Sequence, residues 1–190
     1  DNNYVMSPKD LCTITVLDKI LDSGASILKI EGRGRSPDYV YKTTKAYKEA
    51  VDACLKGKYT KEKIDLWLNE LQSVYNRGFW HGGYYLGNKL GEWCNCYGSK
   101  ASTEKVFVGV GKNYYQKNKI AEFLIQSQKL KEGDAILITG PTTGVIEAKV
   151  DSMYKDGKPS KNAVKGDRIT FKLNERIRKN DKLFVIRSVT

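Results

Sequence analysis

Two kinds of chemistry lie within reach of this sequence, anion recognition and thiol chemistry, and their residues fall in separate short stretches. Lys29, Glu31, Arg33 and Arg35 alternate through Ser26-Ile27-Leu28-Lys29-Ile30-Glu31-Gly32-Arg33-Gly34-Arg35. A guanidinium can hold phosphate or carboxylate through two parallel N–H bonds, and Arg33 and Arg35 sit beside glycines that leave room for one. Lys29 and Glu31 share a face of an extended chain, where they either pair with each other or point jointly at a ligand. Arg77, in Tyr75-Asn76-Arg77, is read either as a structural clasp or as a fifth substrate contact. The thiols are Cys12, Cys54, Cys94 and Cys96, and His81 is the one histidine. Nucleophilic catalysis needs a base beside the nucleophile, which makes Cys12 with His81 the dyad to weigh. Against it stands a histidine that simply bonds to backbone in a glycine-rich corner. Cys94, Cys96 and His81 would need a fourth ligand to hold zinc, and their Cys-x-Cys spacing is tighter than usual; reduced, unliganded thiols are the plainer expectation. Lastly, Lys112, Tyr114, Tyr115, Lys117 and Lys119 interleave rings with positive charge. Such a stretch suits RNA, each base stacked on a ring contributing ~1–3 kcal/mol, or else forms an ordinary polar hairpin loop.

The central stretch predicts a buried strand at Ile27, Leu28 and Ile30, then a glycine corner, then a helix capped by Ser36 with Pro37 in its first turn. That helix carries Tyr39, Val40, Thr43, Tyr47, Ala50, Val51 and Cys54 and ends at Gly57. An earlier helix is expected from Ser7-Pro8-Lys9-Asp10 through Leu11, Ile14, Leu17 and Leu21. A later one opens at Thr60 and bears Ile64, Trp67, Leu68, Leu71 and Val74. Residues 75–100 lack a clean period, and Gly98-Ser99-Lys100-Ala101-Ser102 reads as a linker. From Lys105 the period becomes two. A turn recurs as Lys131-Glu132-Gly133-Asp134, Val164-Lys165-Gly166-Asp167 and Arg178-Lys179-Asn180-Asp181, and Asp156-Gly157 adds a hairpin signal. The fold class is therefore α+β: residues 1–100 helical with an α/β unit, residues 101–190 a small antiparallel β-barrel.

The chain has 190 residues, 40% apolar and 29% charged, with a net charge of +11. The excess is uneven, with 18 basic against 10 acidic residues over 101–190 and 15 against 12 over 1–100. Such a field fits either a polyanion or a merely solvated lysine-rich surface, and if a polyanion, RNA rather than a membrane, because no basic amphipathic helix is present. No run approaches the ~18 apolar residues of a membrane span, and the cysteines form no secreted framework, so a cytoplasmic location is expected. A start at Asp1 suggests the C-terminal piece of a longer protein.

Tyr4-Val5-Met6-Ser7-Pro8-Lys9-Asp10-Leu11-Cys12, Gly24-Ala25-Ser26-Ile27-Leu28-Lys29-Ile30-Glu31-Gly32-Arg33, Ser36-Pro37-Asp38-Tyr39-Val40 and Val74-Tyr75-Asn76-Arg77-Gly78-Phe79 together resemble the C-terminal part of the U-32 collagenase-like peptidase family. The resemblance implies a preceding barrel-like α/β domain, of which residues 1–100 would be the last units. It also implies a terminal β-barrel similar to the second domain of translation factors. Family activities include peptidases and iron–sulfur proteins that hydroxylate RNA bases. In the second branch the resemblance makes Cys12 one of four ligands of a four-iron four-sulfur cluster, the other three lying upstream, so that this chain alone holds no cofactor. The favoured parent activity is hydroxylation of a tRNA wobble uridine with the barrel docking the RNA. A collagenase-like endopeptidase acting on peptide and a non-catalytic binding module are the alternatives. Partners implied are tRNA or another RNA and the N-terminal part of the same protein, with no membrane.

Overall fold

A computed structural model describes residues 8–80, 92–94 and 98–189. Two compact units divide the chain, Asp1–Ser102 and Thr103–Thr190.

In the first unit, β1 (Asp10–Leu11) is followed by α1 (Leu17–Asp22), α2 (Pro37–Leu55), α3 (Lys61–Gln72) and β2 (Phe79–Trp80). β1 and β2 pair in parallel, Asp10 opposite Phe79 and Leu11 opposite Trp80. The expected helix from Ser7 onward is thus confined to α1. Asp10 enters a strand pair, and its carboxylate is spent on two arginines rather than on capping a helix. α2 has Ser36 extended at its cap and Pro37 at its first position, as the sequence predicts. Its buried stripe is Thr43, Ala46, Ala50 and Ala53, at helical spacing, so Val40 faces outward at 42% exposure. These small side chains let Ile14, Leu17, Trp67 and Leu71 close over α2 in one core that also holds Cys12.

The stretch expected as a buried strand forms none. Residues 25–32 carry no regular structure, and Ile27 is 87% exposed. A strand needs a neighbour to take its N–H and C=O groups, and the one sheet among the described residues of this unit is the short β1–β2 pair. Gly98 to Ser102 is likewise not a free linker. Lys100 donates its N–H to the Asn76 carbonyl at 2.7 Å and Ser102 to Gln72 at 2.9 Å, which ties the segment back to the end of α3.

The second unit contains β3 (Thr103–Tyr115), β4 (Ile120–Ile125), β5 (Leu130–Lys131), β6 (Ala135–Gly140), β7 (Gly144–Lys149), β8 (Met153–Lys155), β9 (Lys158–Ser160), β10 (Asn162–Ala163), β11 (Arg168–Lys172) and β12 (Lys182–Ser188). Eight of them form one sheet in the order β7-β6-β12-β3-β4-β11-β8-β9, and β5 pairs with β10 separately. Every pairing in the large sheet is antiparallel. The expected closed barrel is therefore corrected: among the described residues β7 and β9 stand at the two ends and the ladder does not join them. Period two holds along β4, where Ala121, Phe123 and Ile125 are buried and Ile120, Glu122 and Leu124 are not. The inner face gathers Val108, Phe123, Ile138, Ile169, Phe171, Leu183 and Val185, with the rings of Phe123 and Phe171 stacked at 5.0 Å.

The three repeated turns share one construction. Gly133, Gly166 and Asn180 take φ of +90°, +96° and +71°. One residue later Asp134, Asp167 and Asp181 each accept, through Oδ2, the N–H three residues back, at 2.7, 2.9 and 2.7 Å. Each turn then launches a strand, β6, β11 or β12. Asp156 and Gly157, both at positive φ, close the β8–β9 hairpin.

Candidate functional site: a cation-lined cavity beside a buried thiol

Asp10 is the hub of the first unit. Its Oδ1 accepts the Nη2 groups of Arg35 and Arg77, both at 3.1 Å, and its Oδ2 accepts the Arg77 backbone N–H at 2.8 Å. Arg35 also lies over the Tyr75 ring, 4.2 Å from its centroid, with Tyr39 at 5.3 Å. Each contact orients a planar cation that would otherwise sample many rotamers. Asn76 holds the neighbouring backbone, its Nδ2 donating to Val74 at 2.9 Å and its Oδ1 accepting the Gly78 N–H at 3.0 Å. Tyr75 and Asn76 are thus the frame, and Arg77 is a cation presented by it.

A cavity of about 570 Å3 opens against this hub, lined among others by Lys29, Glu31, Arg33, Arg35, Arg77, Tyr39, Tyr47 and Thr43. All five residues singled out as substrate contacts in the sequence line it. Lys29, Glu31 and Arg33 are exposed, whereas Arg35 is half-buried. Glu31 accepts the Arg33 N–H through Oε1 at 2.7 Å, so it shapes the glycine corner. Sequence reasoning missed Thr43, which it placed on a helix face as packing. Thr43 is 6% exposed, and its Oγ1 has no hydrogen-bond partner; neither has the buried Nε of Arg77. Both atoms are shut off from solvent and lie behind the cavity surface rather than on it. Four cations against two carboxylates give the lining a positive excess that suits an anionic group. The apolar Ile20, Ile27 and Leu28 on the same wall suit an apolar or ring-shaped body behind the anionic group.

Cys12 lies below this layer at 3% exposure, its N–H bonded to the Trp80 carbonyl at 2.9 Å. Two tyrosines pin the segment that follows it. Tyr47 Oη accepts the Thr13 N–H at 2.9 Å and lies 3.9 Å from the Cys12 sulfur, and Tyr59 donates to the Ile14 carbonyl. Burial pushes the Cys12 thiol above its ordinary pKa, and it also raises the Tyr47 phenol and lifts Tyr59 to about 12. A neutral, enclosed thiol is a poor nucleophile. His81, the proposed base, lies outside the described residues, as does Cys96 of the considered zinc set. Cys94 is disulfide-bonded, contrary to the expectation that all four cysteines are reduced. Cys12 and Cys54 are free. A four-iron four-sulfur cluster needs four thiolates. Among the described residues no group of three or more His, Cys, Asp and Glu side chains could hold a metal ion. Cys12 offers one ligand at most, so the described residues by themselves do not fit a cluster.

In the second unit the interleaved stretch is split by the strand. Tyr114 turns inward, packing against the core and donating from Oη to the Leu173 carbonyl at 3.0 Å. Tyr115 points outward at 46% exposure. Lys112 is half-buried on β3, and Lys117 and Lys119 are exposed on the β3–β4 turn.

The fold and the site define a two-unit α+β chain, with a cation-rich cavity in one unit and an antiparallel sheet in the other. The model of peptidase family U32 matches residues 1–95, half of the chain, and the chain belongs to that family. A collagenase of Porphyromonas gingivalis strain W83 is 48% identical over 184 residues, which is 97% of this chain and 44% of the relative. An uncharacterized protease of Methanocaldococcus jannaschii is 38% identical over 189 residues, 98% of this chain and 46% of the relative. The tRNA hydroxylation protein P of Haemophilus influenzae is 29% identical over 165 residues, 86% of this chain and 35% of the relative. The chain spans about half the length of the curated collagenase and protease relatives it matches, or less. No helix among the described residues is long and apolar enough to cross a membrane.

Proposed function

We propose that this chain is the RNA-handling portion of a U32-family protein that hydroxylates tRNA. In this reading the cavity of the first unit takes an anionic group of the substrate and the basic second unit docks the polynucleotide. The observation that carries the reading is the cavity itself, where Lys29, Arg33, Arg35 and Arg77 outnumber Asp10 and Glu31. The basic excess over residues 101–190 supports it, since phosphate contacts supply most of the affinity for nucleic acid. The buried, neutral thiol of Cys12 weighs against a cysteine nucleophile. A collagenase-like peptidase is the second reading, favoured by the 48% identity to a collagenase over nearly the whole chain.

Binding of tRNA by the 190-residue chain as salt is raised, beside gelatin digestion by the same preparation, separates the two. Affinity that falls steeply with salt, with gelatin left intact, supports the RNA reading; digestion of gelatin with no affinity for tRNA overturns it. Arg33→Ala tests the cavity. Arg33 is exposed in its lining, so the substitution is expected to leave the melting temperature unchanged while weakening tRNA binding roughly 10- to 100-fold, one lost charge-assisted contact. Unchanged affinity in that variant would remove the cavity from the interface.

A further inference from the structure

We propose that the outer face of β3, β4, β11 and β8 is a stacking platform for single-stranded RNA, built on Tyr115 and Tyr154. The proposal rests on the RNA reading above and assigns it a second, separate site. Among the described residues of the second unit, the large hydrophobic side chains that are exposed are Tyr115 at 46%, Tyr154 at 44%, Val164 and Val189. Both exposed rings fall on one face, and register shows why. Tyr115 pairs with Ile120, which pairs with Lys172; Glu122 pairs with Thr170, which pairs with Tyr154. The residues alternating with these rows, Ala121, Phe123, Ile169, Phe171 and Met153, are buried on the opposite face. Each ring keeps nearly half of its surface open to solvent, and two on one face form a surface to which base faces are complementary.

The charge on this face fits the same occupant. Arg168, on the row beside Tyr154, keeps a side chain that is 66% exposed and reaches the Glu122 carboxylate at 3.5 Å; Lys172 shares the Tyr115 row. Glu122 is the one carboxylate on these rows, and it is already engaged by Arg168 and by the Tyr115 hydroxyl at 3.2 Å. Lys117 and Lys119 stand exposed at the turn directly after Tyr115. The two rings lie on strands three spacings apart, on the order of 14 Å, so they would stack separate bases of one strand rather than sandwich a single base. Paired helical RNA hides its base faces, which is why the occupant is a single-stranded segment.

The test is fluorescence anisotropy of a short labelled oligouridine, with tRNA in parallel, titrated with the 190-residue chain and its variants. Tyr115→Ala with Tyr154→Ala is expected to weaken oligouridine binding tenfold or more without changing the salt slope. Tyr115→Phe with Tyr154→Phe, which keeps both rings, should bind as the parent does, and a urea midpoint of the alanine pair close to the parent's shows that folding is not the cause. Arg168→Gln with Lys172→Gln should lower the salt slope by about 1.4, two phosphate contacts on a single strand. Oligouridine affinity unchanged by the double alanine variant overturns the platform and leaves the RNA reading standing. Binding of tRNA without binding of oligouridine does the same, and binding of neither overturns both.

Discussion

Cys12 shows how much a residue's surroundings decide about its chemistry. Its sulfur is enclosed by the packing of α2 against the turn after β1, its thiol pKa is raised by that burial, and the Asp10 charge adds in the same direction. A raised pKa means less thiolate at any pH below it, so reactivity should be suppressed at pH 8 and recover only as pH climbs further. We expect Cys12 to react with a thiol reagent in the native chain roughly tenfold or more slowly than a free cysteine, and to reach the free rate on unfolding. Mass spectrometry of timed alkylation would show this. Labelling of Cys12 at the free rate in the folded chain would mean that the site opens. The same reasoning separates Tyr114 from Tyr115. One residue apart in the sequence, they lie on opposite faces of β3, one bonded to the Leu173 carbonyl and one in solvent.

At the scale of elements, the three Gly/Asn-Asp turns make a graded series. All three aspartates receive the N–H three residues back, but their settings differ. The Asp134 carboxylate accepts the Lys131 N–H of its own turn, and that of Asp167 also meets Lys155 at 2.7 Å. Asp181 is 2% exposed and accepts from the Thr143 hydroxyl at 2.5 Å as well. Gly140 lets it in, because a Cβ there would stand 1.8 Å from the Asp181 Oδ1. Truncation leaves an exposed donor to water at Asp134 but removes the partner of two part-buried donors, the Arg178 N–H and the Thr143 hydroxyl, at Asp181. Asp134→Ala should cost about 0.5–1.5 kcal/mol and Asp181→Ala about 2–4 kcal/mol in unfolding free energy, read from urea denaturation. Equal costs would show that the Asp181 network contributes nothing beyond its turn.

For the whole molecule, the electrostatics are lopsided by design of composition: the net positive charge resides mainly in residues 101–190. If that charge docks RNA, affinity must fall with salt in proportion to the phosphates neutralised. Lys117→Ala with Lys119→Ala should reduce the slope of log affinity against log salt by about 1.4 and weaken binding to all sequences alike. A slope identical to the parent's would place the phosphate contacts elsewhere on the unit. The two units have separate cores, one of Ile14, Leu17, Trp67 and Leu71 around the α2 alanines, the other on the inner face of the large sheet. Each presents its own chemistry, a cavity in the first and a basic sheet in the second.

Local and periodic features were legible in the sequence alone. The α2 and α3 helices, the period-two strands, the three turns and the Asp156-Gly157 hairpin depend on residues close in the chain, where propensity and backbone sterics decide the outcome. That Lys29, Glu31, Arg33, Arg35 and Arg77 line one cavity is a fact of the structure, and for Arg77, 42 positions beyond Arg35, only the fold brings it there. Tertiary structure decided what depends on distant partners. Ile27 to Ile30 has the composition of a buried strand, yet among the described residues it pairs with no strand, and Ile27 and Leu28 are exposed. Asp10 reads as a cap until Arg35 and Arg77, 25 and 67 residues away, claim its carboxylate. Closure of the sheet depends on whether its two outermost strands meet, and β7 and β9 do not. The unpaired Thr43 hydroxyl is visible only in three dimensions, since a missing partner leaves no mark in the sequence.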